Sequence, residues 1–136
     1  MKLLSIDYGA KRIGLAVGEI ENHIVVPYGL IENKGRDFVF REINSICAEE
    51  RIDKIIIGMP SHGEIRSKQA ELTKDFAQFL KSRIEDVEVL VFDESFTSKI
   101  ADQDMRYKDL MKDKKKGWRD MLAAAEILRG YMDKNL

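Results

Sequence analysis

Residues 3–9 read Leu3-Leu4-Ser5-Ile6-Asp7-Tyr8-Gly9, an almost continuous apolar run that carries one carboxylate to its C-terminal end. A glycine turn follows at once. A short run of this kind fits a strand buried on both faces, which requires helices on both sides of a sheet. It also leaves Asp7 where a carboxylate is costly unless a metal or a polar partner meets it. Two more acids sit in comparable settings. Glu94 follows the apolar run Val87 to Phe92, and Asp120 opens the alanine-rich stretch Met121-Leu122-Ala123-Ala124-Ala125. Three acids on separate elements around an apolar sheet suggest a site for a hard cation.

The rest of the chain supplies such a sheet. Lys2 to Ile6, Arg12 to Val17 and His23 to Leu30 read as strands at spacings short enough for an antiparallel meander. Pro27 marks the third as an edge strand or a bulged one. The pattern then changes period. Phe38, Ile43, Ile46 and Cys47 recur at helical spacing, predicting a helix over Arg36 to Glu50. Asp53 to Gly58 is a buried strand, Ser67 to Ile84 an amphipathic helix and Val87 to Phe92 a further buried strand. Ser98 to Leu110 and Asp120 to Met132 read as helices. The order β-β-β-α-β-α-β-α-α predicts an α/β fold. Its mixed five-stranded sheet has three antiparallel strands, then parallel βαβ units, with helices on both faces. The 136 residues fit a single domain, residues 1–136.

Composition narrows the class. The chain is 44% hydrophobic and 35% charged with a formal net charge of −1, so no global basic field advertises a nucleic-acid partner. One cysteine, Cys47, precludes an internal disulfide and reads as a small core residue. Cys47 with the separated His23 and His62 gives no zinc cluster. The chain shows no signal-peptide pattern and no apolar run of the ~20 residues that span a membrane. A cytoplasmic protein without a membrane partner is the expectation.

Four constellations bear chemistry. Carboxylates converging from different elements hold Mg²⁺ or Mn²⁺. Two such ions activate water and stabilise the leaving oxygen of a phosphodiester. Asp7, Glu94 and Asp120 suit that task, yet each also suits a cap or turn, Asp120 as a helix N-cap. In the turn Asp7-Tyr8-Gly9-Ala10-Lys11-Arg12, Lys11 and Arg12 suit phosphate through charge-assisted hydrogen bonds, or are the solvated charges of a hairpin tip. The loop Gly58-Met59-Pro60-Ser61-His62-Gly63 leaves a buried strand, where α/β proteins bind ligands; Ser61 can contact phosphate, and His62 reads as a loop side chain. Lys112, Lys114, Lys115, Lys116 and Arg119 form a basic run beside Asp120. It suits a phosphate backbone, or is a solvated charge run.

These strings are recognisable together. Asp7 to Ala16 resembles the opening motif of the bacterial pre-16S rRNA nuclease family, also described as Holliday junction resolvases, which has a ribonuclease H-like fold. Gly58-Met59-Pro60 resembles that family's Gly-Leu-Pro loop, Asp93 to Ser98 its Asp-Glu-Arg-Leu-Thr-Thr motif, and Asp120 to Leu128 its final Asp-x-x-Ala-Ala helix. The resemblance spans nearly the whole chain. It implies a cytoplasmic, metal-dependent nuclease with Asp7, Glu94 and Asp120 as catalytic metal ligands. Its tasks would be 5′-end processing of pre-16S rRNA or cleavage of branched DNA. One departure stands out. The family's arginine after Asp-Glu is Ser95 here, which removes a bidentate cation. Lys11, Arg12, Lys99 and Arg119 are the candidate substitutes.

The leading expectation is therefore a two-metal endonuclease. Lys11, Arg12, Ser61, Lys115, Lys116 and Arg119 would bind substrate, and Mg²⁺ or Mn²⁺ would be the cofactor. Its partner would be pre-16S rRNA or branched DNA, with a ribosomal precursor as a further partner. The protein would be a monomer or, for a two-fold junction, a homodimer. A non-catalytic nucleic-acid or pre-ribosome binding module is the rival that Ser95 motivates. An actin-like ATP phosphotransferase is the third, and such enzymes need two lobes.

Overall fold

The computed structural model describes residues 1–59, 68–93 and 116–135. In chain order these form β1 (Lys2–Asp7), β2 (Arg12–Glu19), β3 (Ile24–Glu32), α1 (Arg36–Glu50), β4 (Lys54–Met59), α2 (Lys68–Arg83), β5 (Glu88–Asp93) and α3 (Lys116–Asn135). The expected helix over Ser98 to Leu110 lies outside the described residues.

The strands make one mixed five-stranded sheet in the order β3-β2-β1-β4-β5. β1, β2 and β3 pair antiparallel, while β1–β4 and β4–β5 pair parallel. The meander and the parallel units thus appear as their spacing and composition predict. The Pro27 signal has both of its expected meanings. β3 is an edge strand, and its register against β2 shifts so that Leu15 faces Gly29 while Ala16 faces Pro27, leaving Tyr28 as the extra residue of a bulge.

Alternation along the apolar strands divides them between two layers. Leu4 and Ile6 of β1 join Ile55 and Ile57 of β4 against Val39 and Ile43 of α1 and Phe76 and Leu80 of α2. Cys47 lies in this core, where burial pushes its thiol up to about 11. On the other face, Leu3 and Ile56 meet Ile127, Leu128 and Met132 of α3. Both sides are covered, which is why β1 reads as a continuous apolar run. Among the described residues, no helix is long and apolar enough to cross a membrane.

The α3 layer sits unusually close to β2. Ala16 packs with Ala124 and Ala125. The buried Ser5 hydroxyl donates to the Ala124 carbonyl at 2.6 Å. A Cβ on Gly14 would lie 2.0 Å from the Asp120 carbonyl oxygen, so only glycine permits this approach. The helix begins at Lys116, four residues ahead of the expected start at Asp120. Asp120 is therefore no N-cap but an interior residue of α3, and Lys116 and Arg119 belong to the helix rather than to a loop before it.

Replacing Gly14 by alanine forces helix and sheet apart. The expected loss is about 1–3 kcal/mol of unfolding free energy, the range for overpacking a tight contact. Gly29→Ala, whose Cβ would meet nothing within 4 Å, should stay within about 0.5 kcal/mol of the parent. Urea denaturation of the two variants checks both outcomes.

Candidate functional site

Asp7 ends β1 on the face that α3 covers, and its partner across the ladder is Gly14. Gly14 is also the point where the α3 backbone at Asp120 touches the sheet. One small residue therefore brings two carboxylates from opposite ends of the chain to the same place. Burial, and after it the charge of Asp120, push the Asp7 carboxyl up from its ordinary 3.8 to about 6. Like charges in a poorly solvated setting oppose each other's ionisation. A cation held beside Asp7 would offset that penalty.

The donor set fits a divalent ion of the Mg²⁺ or Mn²⁺ type, which takes carboxylate oxygen and water. Asp7 and Asp120 would hold it. Glu94, the third expected ligand, lies outside the described residues, as do Ser61 and Lys115. Among the described residues no cluster of three or more potential ligands forms. The sheet does bring the relevant strand ends together: Ile6 pairs with Ile57, and Met59 with Asp93, so β1, β4 and β5 finish at the same end.

Arg12 opens β2 and meets this pair directly. Its Nε donates to Asp120 Oδ2 at 2.8 Å. Arg12 also lines an open groove of about 670 Å³, with Lys11, Leu30, Asn33 and Lys34 among its other walls. Glu32 is the groove's one acid among its lining residues. Lys11 and Arg12, the two cations that the sequence marks for phosphate, both line this groove. Arg119 is exposed on α3, and Lys116 lies in the first turn of that helix.

The turn that presents Lys11 and Arg12 is held from both sides. Gln69 Nε2 donates to the Tyr8 carbonyl at 2.7 Å, and the Tyr8 ring stacks on Phe76 at 4.4 Å between centroids. Asn33 Nδ2 donates to the Gly9 carbonyl at 2.9 Å, and the Asn33 backbone N–H donates to the Lys11 carbonyl at 2.9 Å. A Cβ on Gly9 would lie 2.3 Å from the Arg12 carbonyl oxygen, so the turn closes only with glycine there. Asn33 and Gln69 escape the sequence reading because they act on backbone carbonyls far away in the chain. The one local signal is Asn33-Lys34-Gly35, where the Asn33 side chain accepts from the Gly35 N–H.

The raised Asp7 carboxyl has a consequence for stability. Its folded-state value of about 6 lies above the unfolded 3.8. Through that window the folded state therefore binds more protons, and stability falls as pH rises toward 6. Above it the folded protein carries an unfavourable buried charge. In chelator at pH 7, Asp7→Asn should be more stable than the parent by on the order of 1–2 kcal/mol, after allowance for partial solvation of the site. The gain should vanish near pH 4. Thermal melts across that range test it.

Three kinds of comparison bear on this geometry. The chain matches, over residues 1–134, the family described as RuvX: Holliday junction resolvase. A relative from Sulfurihydrogenibium sp., provisionally named a pre-16S rRNA nuclease, is 37% identical over 139 residues, covering 98% of this chain and 90% of its own. A relative from Malacoplasma penetrans with the same provisional name is 33% identical, covering 96% of this chain and 93% of its own. Among solved structures, T. thermophilus RuvC in complex with a Holliday junction substrate superposes with a TM-score of 0.61 at 13% identity, over 99% of this chain and 96% of that one. The fowlpox virus Holliday junction resolvase gives a TM-score of 0.58 at 13% identity over the full length of both chains. At such identities the structures establish a shared fold, the ribonuclease H-like one. The motifs at Asp7 and Asp120 and the full-length match establish more: the chain belongs to the RuvX Holliday junction resolvase family.

Proposed function

We propose that this protein is a metal-dependent endonuclease that hydrolyses phosphodiester bonds, with the 5′ end of pre-16S rRNA as its substrate. The observation that carries this reading is the Asp7–Asp120 pair, held together by the Gly14 contact beside a groove lined by Lys11, Arg12 and Lys34. The curated relatives at 37% and 33% identity support the choice of substrate.

Asp7, Asp120 and Glu94 would hold Mg²⁺ or Mn²⁺ in a two-metal arrangement. When bound, such ions supply a nucleophilic water at neutral pH and offset charge on the leaving oxygen. The chain's own residues do the positioning. The β1–β2 ladder and the α3 contact set the backbone at Asp7 and at Asp120, which supports two carboxylates held near each other before substrate arrives. Lys11 and Lys34 neutralise backbone phosphates in the groove, and Arg12 can take one in bidentate fashion. Leu30 gives the groove an apolar wall against which a sugar or base can rest.

Branched DNA is the second reading. The family description and the likeness of the fold to two resolvases favour it. A junction has two-fold symmetry, so this activity would require a homodimer.

End-labelled pre-16S leader RNA and a synthetic four-way DNA junction are incubated side by side with Mg²⁺, Mn²⁺ or EDTA. The RNA should be cut in either metal and left intact in EDTA. Asp7→Asn and Asp120→Asn should abolish cutting while remaining folded. Cutting of the junction alone would transfer the assignment to the second reading. Binding without cutting under every condition would overturn both in favour of a non-catalytic module.

A further inference from the structure

Arg12 stands in two places at once. Its Nε is bonded to Asp120 Oδ2 at 2.8 Å, and the same side chain lines the basic groove. Both members of the pair are partly open to solvent, with side-chain exposures of 37% for Arg12 and 26% for Asp120. An ion pair of that exposure contributes little to stability and is easily exchanged. The bond also uses Nε, one arm of the fork with which a guanidinium grips a phosphate. A phosphate in the groove and Asp120 therefore compete for one donor. The converse competition exists at the carboxylate. A divalent cation drawn to Asp120 meets a guanidinium already seated there with the same sign of charge.

We infer that Arg12 is an exchangeable internal counter-ion of Asp120, and that a nucleic-acid phosphate entering the groove draws Arg12 away and frees Asp120 for the metal. The inference rests on the reading of Asp7 and Asp120 as metal ligands and adds the regulation of that site. Its consequence is reciprocal: nucleic acid tightens metal binding, and metal tightens nucleic-acid binding, by the same factor. Without substrate, Arg12 keeps the carboxylate pair partly neutralised and the site underloaded. With substrate, both charges find their working partners. A purely structural role for Arg12 predicts the opposite. If the bond merely ties α3 to β2, removing it loosens Asp120 and weakens the metal site.

The test is calorimetric titration of the full chain with Ca²⁺, which takes the same oxygen ligands. With no nucleic acid present, Arg12→Gln should bind Ca²⁺ about five- to tenfold more tightly than the parent, within the usual range of coupling between sites. Lys11→Gln removes a neighbouring groove charge that does not touch Asp120 and should change affinity by less than about twofold. Adding a short single-stranded RNA should raise the parent's Ca²⁺ affinity toward that of Arg12→Gln, and raise the variant's much less. Asp7→Asn serves as the reference for the site itself. If Asp7→Asn leaves Ca²⁺ binding unchanged, the metal reading fails and the counter-ion role fails with it. If Asp7→Asn abolishes binding while Arg12→Gln binds no more tightly than the parent, the site stands and the inference about Arg12 is wrong. Equal tightening by Lys11→Gln also overturns it, since the effect would then be general electrostatics.

Discussion

The approach of α3 to β2 at Gly14 is the contact on which the rest of the site depends. Backbone meets backbone there, with no side chain between, because the residue has no Cβ. The consequence is geometric. Gly14 faces Asp7 across the β1–β2 ladder, so the same position sets the height of the helix over the sheet and the neighbour of the first carboxylate. Ala16 and the alanines at 124 and 125 continue the close packing along the interface. The Ser5 hydroxyl, buried without cost because it donates to the Ala124 carbonyl, adds a directional tie. Small residues thus replace the usual interdigitated side chains, and the distance between two distant carboxylates becomes a property of the backbone.

That distance is unfavourable to the folded chain alone. A carboxyl pushed to about 6 by burial and a like charge opposes folding at neutral pH. Proteins tolerate such terms where the site's task needs them, and stability is lost in exchange for a preorganised charge. Elsewhere the core is conventional: Leu4, Ile6, Ile55 and Ile57 are fully buried between sheet and helices. The apolar layers on both faces supply the surplus from which the strained pair draws. Arg12 reduces the deficit, since its bond to Asp120 answers one of the two charges.

The sequence carries some of this and conceals the rest for physical reasons. β1 and its terminal Asp7 are legible because a strand buried on both faces must be apolar throughout, so a single carboxylate stands out. The edge position of β3 is legible from Pro27, which cannot donate to a ladder. The start of α3 is not. Lys116, Gly117 and Arg119 give no apolar period, Trp118 stands there alone, and the apolar period by which helices are read begins only at Met121. The structure extends the helix back to Lys116, where a Cβ on Gly117 would lie 2.3 Å from Leu30 of β3. Arg12 and Asp120 are separated by 108 positions, and nothing local announces their bond. Gln69 and Asn33 are hidden for a different reason. They serve carbonyls of the turn between β1 and β2, and a polar side chain that satisfies a distant backbone looks like any surface residue. Glu94, Ser61 and Lys115 fall outside the described residues, so the candidate site is built from Asp7, Asp120 and the groove.

A net charge of −1 is unpromising for a nucleic-acid partner taken as an average over the molecule. The groove shows why the average misleads: among its described lining residues Lys11, Arg12 and Lys34 stand with one acid, Glu32, which pairs with Lys34. Local potential, not net charge, governs where a phosphate settles. Contacts of this type fix register along a backbone and carry no base identity. If the proposed function holds, choice of cleavage site cannot reside in these three cations. Among the described residues the groove reads shape: one phosphate must come level with Asp7 and Asp120 while its neighbours lie beside these cations. Strands free to bend, such as a single-stranded leader or the crossover of a junction, meet that condition more readily than a straight duplex. The same geometric demand therefore accommodates both substrates that the family's names describe.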